Sequence, residues 1–123
     1  MHKIKARKSS GLFYMKLIIN NSLISNNLKI ADTFIKRFLG LMFKKIFNPD
    51  DALLIKPCKI VHSFFMNFEI DILFIDKNNN IIGTYTLKPW RISPYYKNAE
   101  YVIELPYKTL EKYKIKYGKV VIN

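Results

Sequence analysis

Cysteine is almost missing from this sequence. Cys58 is the single one, so no internal disulfide can form and a disulfide-stapled secreted scaffold is excluded; a lone thiol fits a reducing compartment. Histidine is equally scarce. Apart from His2 only His62 is present, which excludes a two-histidine blue-copper centre within one folded domain. No apolar run approaches the roughly 18 to 20 residues that cross a bilayer as a helix. The basic start MHKIKARKSSGLFYMK contains an apolar stretch, GLFYM, shorter than the about 7 to 15 residues of a signal-peptide core, and no small-residue cleavage site follows. No membrane span and a cytoplasmic location are therefore expected. Helical segments of crossover length do not alternate with the β-rich runs, which disfavours a doubly wound parallel sheet.

Carboxylates are few as well, nine against 21 Lys and Arg, for a formal charge of +12. That balance suits a phosphate polymer or a membrane surface, because basic faces release counterions and steer anions. Arginine, the residue suited to bidentate phosphate and base-edge contacts, is confined to Arg7, Arg37 and Arg91, while lysines are spread along the chain. A nucleic-acid partner is disfavoured on that ground. Nonspecific polyanion binding through the lysine-rich surface stays open as an alternative.

Half of the 123 residues are hydrophobic and aromatics are abundant, enough to bury one core without disulfides or a structural metal. One globular domain over residues 15–123 is expected, preceded by a basic, mobile arm over residues 1–14. In KLIINNSLISNNLKIA the pairs Asn20-Asn21 and Asn26-Asn27 divide apolar runs and tolerate the positive φ of tight turns, so a hairpin opens the domain. DTFIKRFLG changes period: Phe34, Ile35, Phe38 and Leu39 share a helical face, Asp32 or Thr33 can cap it and Gly40 can end it. Asn48-Pro49-Asp50 signals a turn before a short buried strand, ALLI, which Lys56-Pro57 breaks. IDILFIDKNNNIIGTYTL reads as a hairpin about Lys77–Asn80, PWRISPYYKNAE as a loop, and YVIEL as a strand. Pro106 suits the start of a last short helix before the terminal strand KVVIN. The expected fold is α+β, mainly β: an antiparallel sandwich or partly closed barrel with one or two short helices.

Five segments in this order, ADTFIKRFLGLMF, HSFFMNFEIDILFID, LKPWR, AEYVIELP and YGKVV, resemble the small bacterial and archaeal proteins of domain of unknown function 192. Arg37, Gly40, Leu41 and Met42 match the family's Arg before Gly-Leu-Met; Met66, Asp71 and Asp76 match its methionine and apolar-Asp-apolar hairpin; Glu104 matches the glutamate of its next-to-last strand. The chain departs at Asn67-Phe68, where many relatives carry a longer turn, and in the export signal that many relatives have. The resemblance implies a largely β fold and brings no established activity.

CKIVHSFFM spaces Cys58, His62 and Met66 by four. Those ligand types together suit copper, above all the reduced ion, but four residues of strand span about 13 Å, too far for one ion. On a helix the three would share a stripe, and Cys58 could then take His62 as its base in hydrolytic chemistry. Packing is the competing reading: Cys58 and Met66 as adaptable apolar groups, with His62 bonded to a carboxylate. Asp71 and Glu104 sit in strands that are apolar on both faces. Burial of a carboxylate requires a partner, and Arg37, Arg91 and His62 are the candidates. Trp90, Arg91, Tyr95 and Tyr96 have the composition of an interface loop, and equally of a loop folded back over an open barrel end with Trp90 plugging the core.

These residues point to a binding module without catalytic residues or a cofactor. Its small pocket would be formed by Met42, His62, Met66, Asp71, Trp90, Arg91 and Glu104, its partner being a small molecule or a protein. The alternative is soft-metal binding or hydrolysis by Cys58, His62 and Met66.

Overall fold

The computed structural model describes residues 6–7, 13–31 and 48–123. They form strands β1 (Ala6–Arg7), β2 (Phe13–Ile19), β3 (Ser22–Ala31), β4 (Asp51–Ile55), β5 (Ile70–Ile75), β6 (Ile81–Leu87) and β7 (Tyr101–Pro106), a single-turn helix α1 (Thr109–Lys112), and β8 (Val120–Ile122). The sheet runs β1-β2-β3-β4-β7-β5-β6, with β8 added to β2. It curls until β8, added to β2 on one side, reaches the start of β6 on the other. Asn79 to Ile81, at the start of β6, exchange backbone hydrogen bonds with Gly118 and Val120 at the start of β8 (2.8 Å each), giving the partly closed, mainly β barrel.

Local chemistry accounts for the turns. Asn20 and Asn21 close the β2–β3 hairpin with φ of 51° and 66°, the two left-handed positions of a tight two-residue turn. Between β5 and β6 the Asp76 carboxylate accepts the N–H groups of Asn78 and Asn80, both at 2.9 Å, and Asn79 takes φ 65°. Asn48-Pro49-Asp50 turns as expected, with the Asp51 N–H donating to Asn48 O at 2.9 Å. Asn26-Asn27 is no turn: β3 continues through it, because the Asn26 N–H donates to the Asp50 carboxylate (3.0 Å) and the Asn27 amide to that of Asp51 (2.6 Å). These contacts align the one parallel pair among the described strands, β3 with β4, a departure from an all-antiparallel sheet. The connection from residue 32 to residue 50 is long enough for such a crossover. The helix expected over Asp32–Gly40, together with Arg37 and Met42, lies outside the described residues.

Pro106 ends β7 rather than starting a helix, and α1 begins only after Lys108 at φ 74°. The ladder on β2 begins before Met15: Ala6 and Arg7 pair with Tyr14 and Phe13.

Two apolar clusters divide the core. The barrel interior gathers Leu17, Leu28, Leu54, Leu73, Ile103, Leu105 and Ile122, with Leu110 and Tyr113 packed on it from α1 and the residue after it. On the other face of β4, β5 and β7 lie Leu53, Ile55, Ile72, Phe74 and Val102, covered by Cys58, Val61 and Met66. Strands covered on both faces need apolar residues at both parities, and β4, β5 and the first five residues of β7 are buried throughout. At about 1.5–3 kcal/mol per buried Leu, Ile or Phe side chain, this second layer is a structural requirement. It seats the loop that carries Cys58, Val61 and Met66 on the barrel wall.

Candidate functional site

The segment Cys58–Met66 forms neither the strand nor the helix that its spacing allows; it is a loop with one bridge, His62 to Ile92. Its partner is the loop after β6, and the two are laced together. Tyr96 donates its N–H to Lys59 O (2.9 Å), Ser93 to Val61 O (2.8 Å), Ser63 to Arg91 O (2.9 Å) and Trp90 to Ser63 O (3.0 Å). Where the ladder fails, two buried serines complete it. Ser93 Oγ accepts the Val61 N–H at 2.9 Å, and Ser63 Oγ accepts the Arg91 N–H at 2.9 Å while donating to Lys88 O. Beneath the ribbon the Tyr96 ring stacks on Phe74 at 4.2 Å. Tyr96 lies so close to Gly83 that a Cβ there would collide with it.

The outer side of this ribbon is an aromatic ridge. His62 stacks on Phe64 (4.8 Å between centroids), Phe64 lies 6.1 Å from Trp90, and Phe65 meets Trp90 edge-on at 4.9 Å. The Phe64 N–H donates to His62 Nδ1 at 3.2 Å, which leaves Nε2 to carry the proton of the neutral ring. Phe65 is 64% exposed, Trp90 54% and Ile92 56%. Phe65 and Trp90 also hold φ of 70° and 60°, a left-handed conformation that is a genuine outlier for a bulky side chain and costs about 1–2 kcal/mol. Neither Lys56–Phe68 nor Lys88–Ala99 contains an acidic residue, while together they hold Lys56, Lys59, Lys88, Arg91 and Lys97.

The expected site residues are distributed over several surroundings. His62, Trp90 and Arg91 come together on the ridge, and Arg91 donates to Trp90 O at 3.2 Å. Cys58 and Met66 lie below it in the second core cluster, Cys58 donating to Ile60 O at 3.2 Å, while His62 is exposed. Exposure on one side and burial on the other separate His62 from the two sulfur groups.

Asp71 and Glu104 do not line one cavity. Asp71 pairs with Leu105 and shares its side of the sheet with Leu73, whereas Glu104 pairs with Ile72 and Leu53 and faces the second cluster. Among the described residues the Asp71 carboxylate accepts the Thr86 hydroxyl (2.8 Å) and the Leu110 N–H (2.9 Å), which ties α1 to the sheet; Arg37, one of its expected partners, lies outside the described residues. Burial pushes Glu104 up to about 8, and it raises Tyr101, whose hydroxyl donates to Asn79 at 2.7 Å, with Asp76 adding to the shift. An open cleft of about 670 Å3 beside α1, walled by Phe68, Tyr107, Lys108 and Lys112, contains none of the expected site residues. Among the described residues no three His, Cys, Asp or Glu side chains cluster as a metal centre would require, and no helix is long and apolar enough to cross a membrane.

Sequence reasoning did not single out Ser63, Ser93, Phe65 or Ile92. The run of exposed aromatics was readable, but the two serines signal nothing until their partners some 30 residues away are known.

The DUF192 family pattern, described as an uncharacterized ACR, matches residues 16–122. The UPF0127 protein PH1112 of Pyrococcus horikoshii is 45% identical over 96 residues, 73% of this chain and 81% of that protein. The UPF0127 protein PYRAB11210 of Pyrococcus abyssi is 38% identical over 116 residues, 87% of this chain and 97% of its own length. A crystal structure of a protein of unknown function from Novosphingobium aromaticivorans superposes with a TM-score of 0.76 at 17% identity, covering 95% of this chain and 91% of that one; at that identity the likeness concerns the fold. The order of segments, the barrel and the sequence matches agree: this chain belongs to the DUF192 family.

Proposed function

We infer that the protein is a non-catalytic binding module whose contact surface is the aromatic ridge formed by His62, Phe64, Phe65, Trp90 and Ile92, with Arg91 at its side. One observation carries this reading: two bulky aromatic residues stand exposed, in edge-on contact, on left-handed backbone. Water does not favour such a surface and local chain geometry does not favour such φ values, so the surrounding ribbon must enforce both; strain of this kind collects where a ligand is held. Met66 and Cys58 support the ridge from the core side. The single thiol in the chain agrees with a reducing, cytoplasmic setting.

The test uses 1-anilinonaphthalene-8-sulfonate, an apolar anion that fluoresces on exposed apolar surface, with energy transfer from Trp90, the sole tryptophan. The folded protein is expected to bind the probe and Phe65→Asn to lose most of that binding, asparagine being at ease at positive φ. Equal probe binding by both proteins would overturn the reading.

A further inference from the structure

The charge around the ridge narrows the partner. We propose that the ridge docks on an anionic lipid surface, with Phe65, Trp90 and Ile92 entering the headgroup layer and the flanking cations meeting the lipid phosphates; the assignment rests on the binding-module reading above. Three features support it. Trp90, Phe65 and Ile92 are all more than half exposed, and tryptophan in particular prefers the boundary between water and hydrocarbon.

The two loops that bear them carry no carboxylate, the nearest acids in sequence being Glu69 and Glu100; of their five cations Lys88 and Arg91 flank Trp90 in sequence, whereas Lys59 Nζ donates to the Lys97 and Ala99 carbonyls at 2.8 Å each and Lys56 Nζ lies 5.9 Å from the Tyr101 ring centre. A protein partner chosen by apolar contact alone would not need that exclusion of negative charge. A phosphate-rich plane selects for it, since each surface lysine or arginine adds to the attraction within a Debye length. Finally, the loops are fixed. The hydrogen bonds of Ser63 and Ser93 and the stacking of Tyr96 on Phe74 hold the aromatic tips in place, so insertion orders little that is not already ordered.

The arrangement differs from a nucleic-acid stacking platform. There, several rings present their faces to successive bases, whereas here Phe65 turns its edge or face against Trp90 and His62 is stacked on Phe64. The rings are spent on one another and form a wedge.

The experiment mixes the whole protein with vesicles of two parts phosphatidylcholine to one part phosphatidylglycerol, and with pure phosphatidylcholine vesicles. It follows sedimentation and Trp90 emission. The expected result is binding to the anionic vesicles with a blue shift of Trp90, weakened by added salt, and lowered about tenfold by Phe65→Asn and by Lys88→Glu. Equal binding to both vesicle types would overturn the anionic selection. Sedimentation without a blue shift, or undiminished in Phe65→Asn, would reduce the effect to general lysine adsorption and overturn the docking mode. A larger Trp90 response to single-stranded oligonucleotide than to anionic vesicles would overturn the lipid assignment in favour of stacking. Binding of the naphthalene probe without any vesicle binding would overturn the lipid assignment alone and leave the binding module standing; loss of both would remove both.

Discussion

Replacing Glu104 with glutamine should abolish one part of the protein's response to pH. Glu104 lies between Leu53 and Ile72 on the neighbouring strands and faces the second apolar cluster, and burial pushes it up from 4.5 to about 8. A carboxyl whose folded pKa lies above its unfolded one contributes fully below the unfolded value and loses that contribution as pH rises through the folded value. The unfolded chain releases this proton near 4.5 and the folded chain near 8, so linkage alone removes about 3 kcal/mol of stability between about pH 5.5 and pH 8.5. Glutamine keeps the shape and cannot ionise. Urea titrations followed by Trp90 fluorescence at both pH values should therefore show wild type falling relative to Glu104→Gln by about that amount, roughly a hundredfold in the unfolding equilibrium. Other titrating groups are common to both proteins and cancel in the comparison. Parallel pH dependence of the two would show that Glu104 is already ionised, or well solvated, in the folded state.

The ribbon beneath the ridge can be tested in two further ways. Ser63→Ala removes the buried hydroxyl that joins the Arg91 N–H to the Lys88 carbonyl through part-buried hydrogen bonds; a loss of about 0.5–1.5 kcal/mol is expected, with faster amide exchange at Arg91, and an unchanged melting curve would mean the serine is not the tie. Gly83→Ala drives a methyl group into the Tyr96 ring and should destabilise by about 1–3 kcal/mol; in a Tyr96→Ala background the same change should cost far less, and equal costs in both backgrounds would deny the contact.

The fold was legible wherever one stretch of chain settles its own backbone. Asn20-Asn21 and Asp76–Asn80 announce their hairpins because asparagine side chains and left-handed φ values are local properties, and the doubly apolar β5 announces its burial on both faces. Misreadings came where a distant partner decides. Asn26-Asn27 has the composition of a turn, yet carboxylates on Asp50 and Asp51 hold it in a strand. CKIVHSFFM has a period that suits two elements and adopts neither, because its hydrogen bonds go to a loop some 30 residues later. Among the described residues the partners of Asp71 are a hydroxyl and a backbone N–H of a one-turn helix, which no charge count can reveal. The ridge was half visible: Trp90 and Arg91 stood out as interface residues, whereas Phe65 acquires its meaning from a φ value that sequence does not display.

The seam of the barrel bears on how the chain comes together in time. β8 pairs with β2, Leu17 lying opposite Ile122, and the same strand touches the start of β6. The sheet therefore cannot close while the protein is still being synthesised past β7. Until Val120–Ile122 leave the ribosome, β2 keeps an open edge and the interior is roofed on one side only, so closure is a late, long-range step of the kind that makes β topologies slow to fold. During that interval the nascent protein depends on whatever shields an unpaired strand.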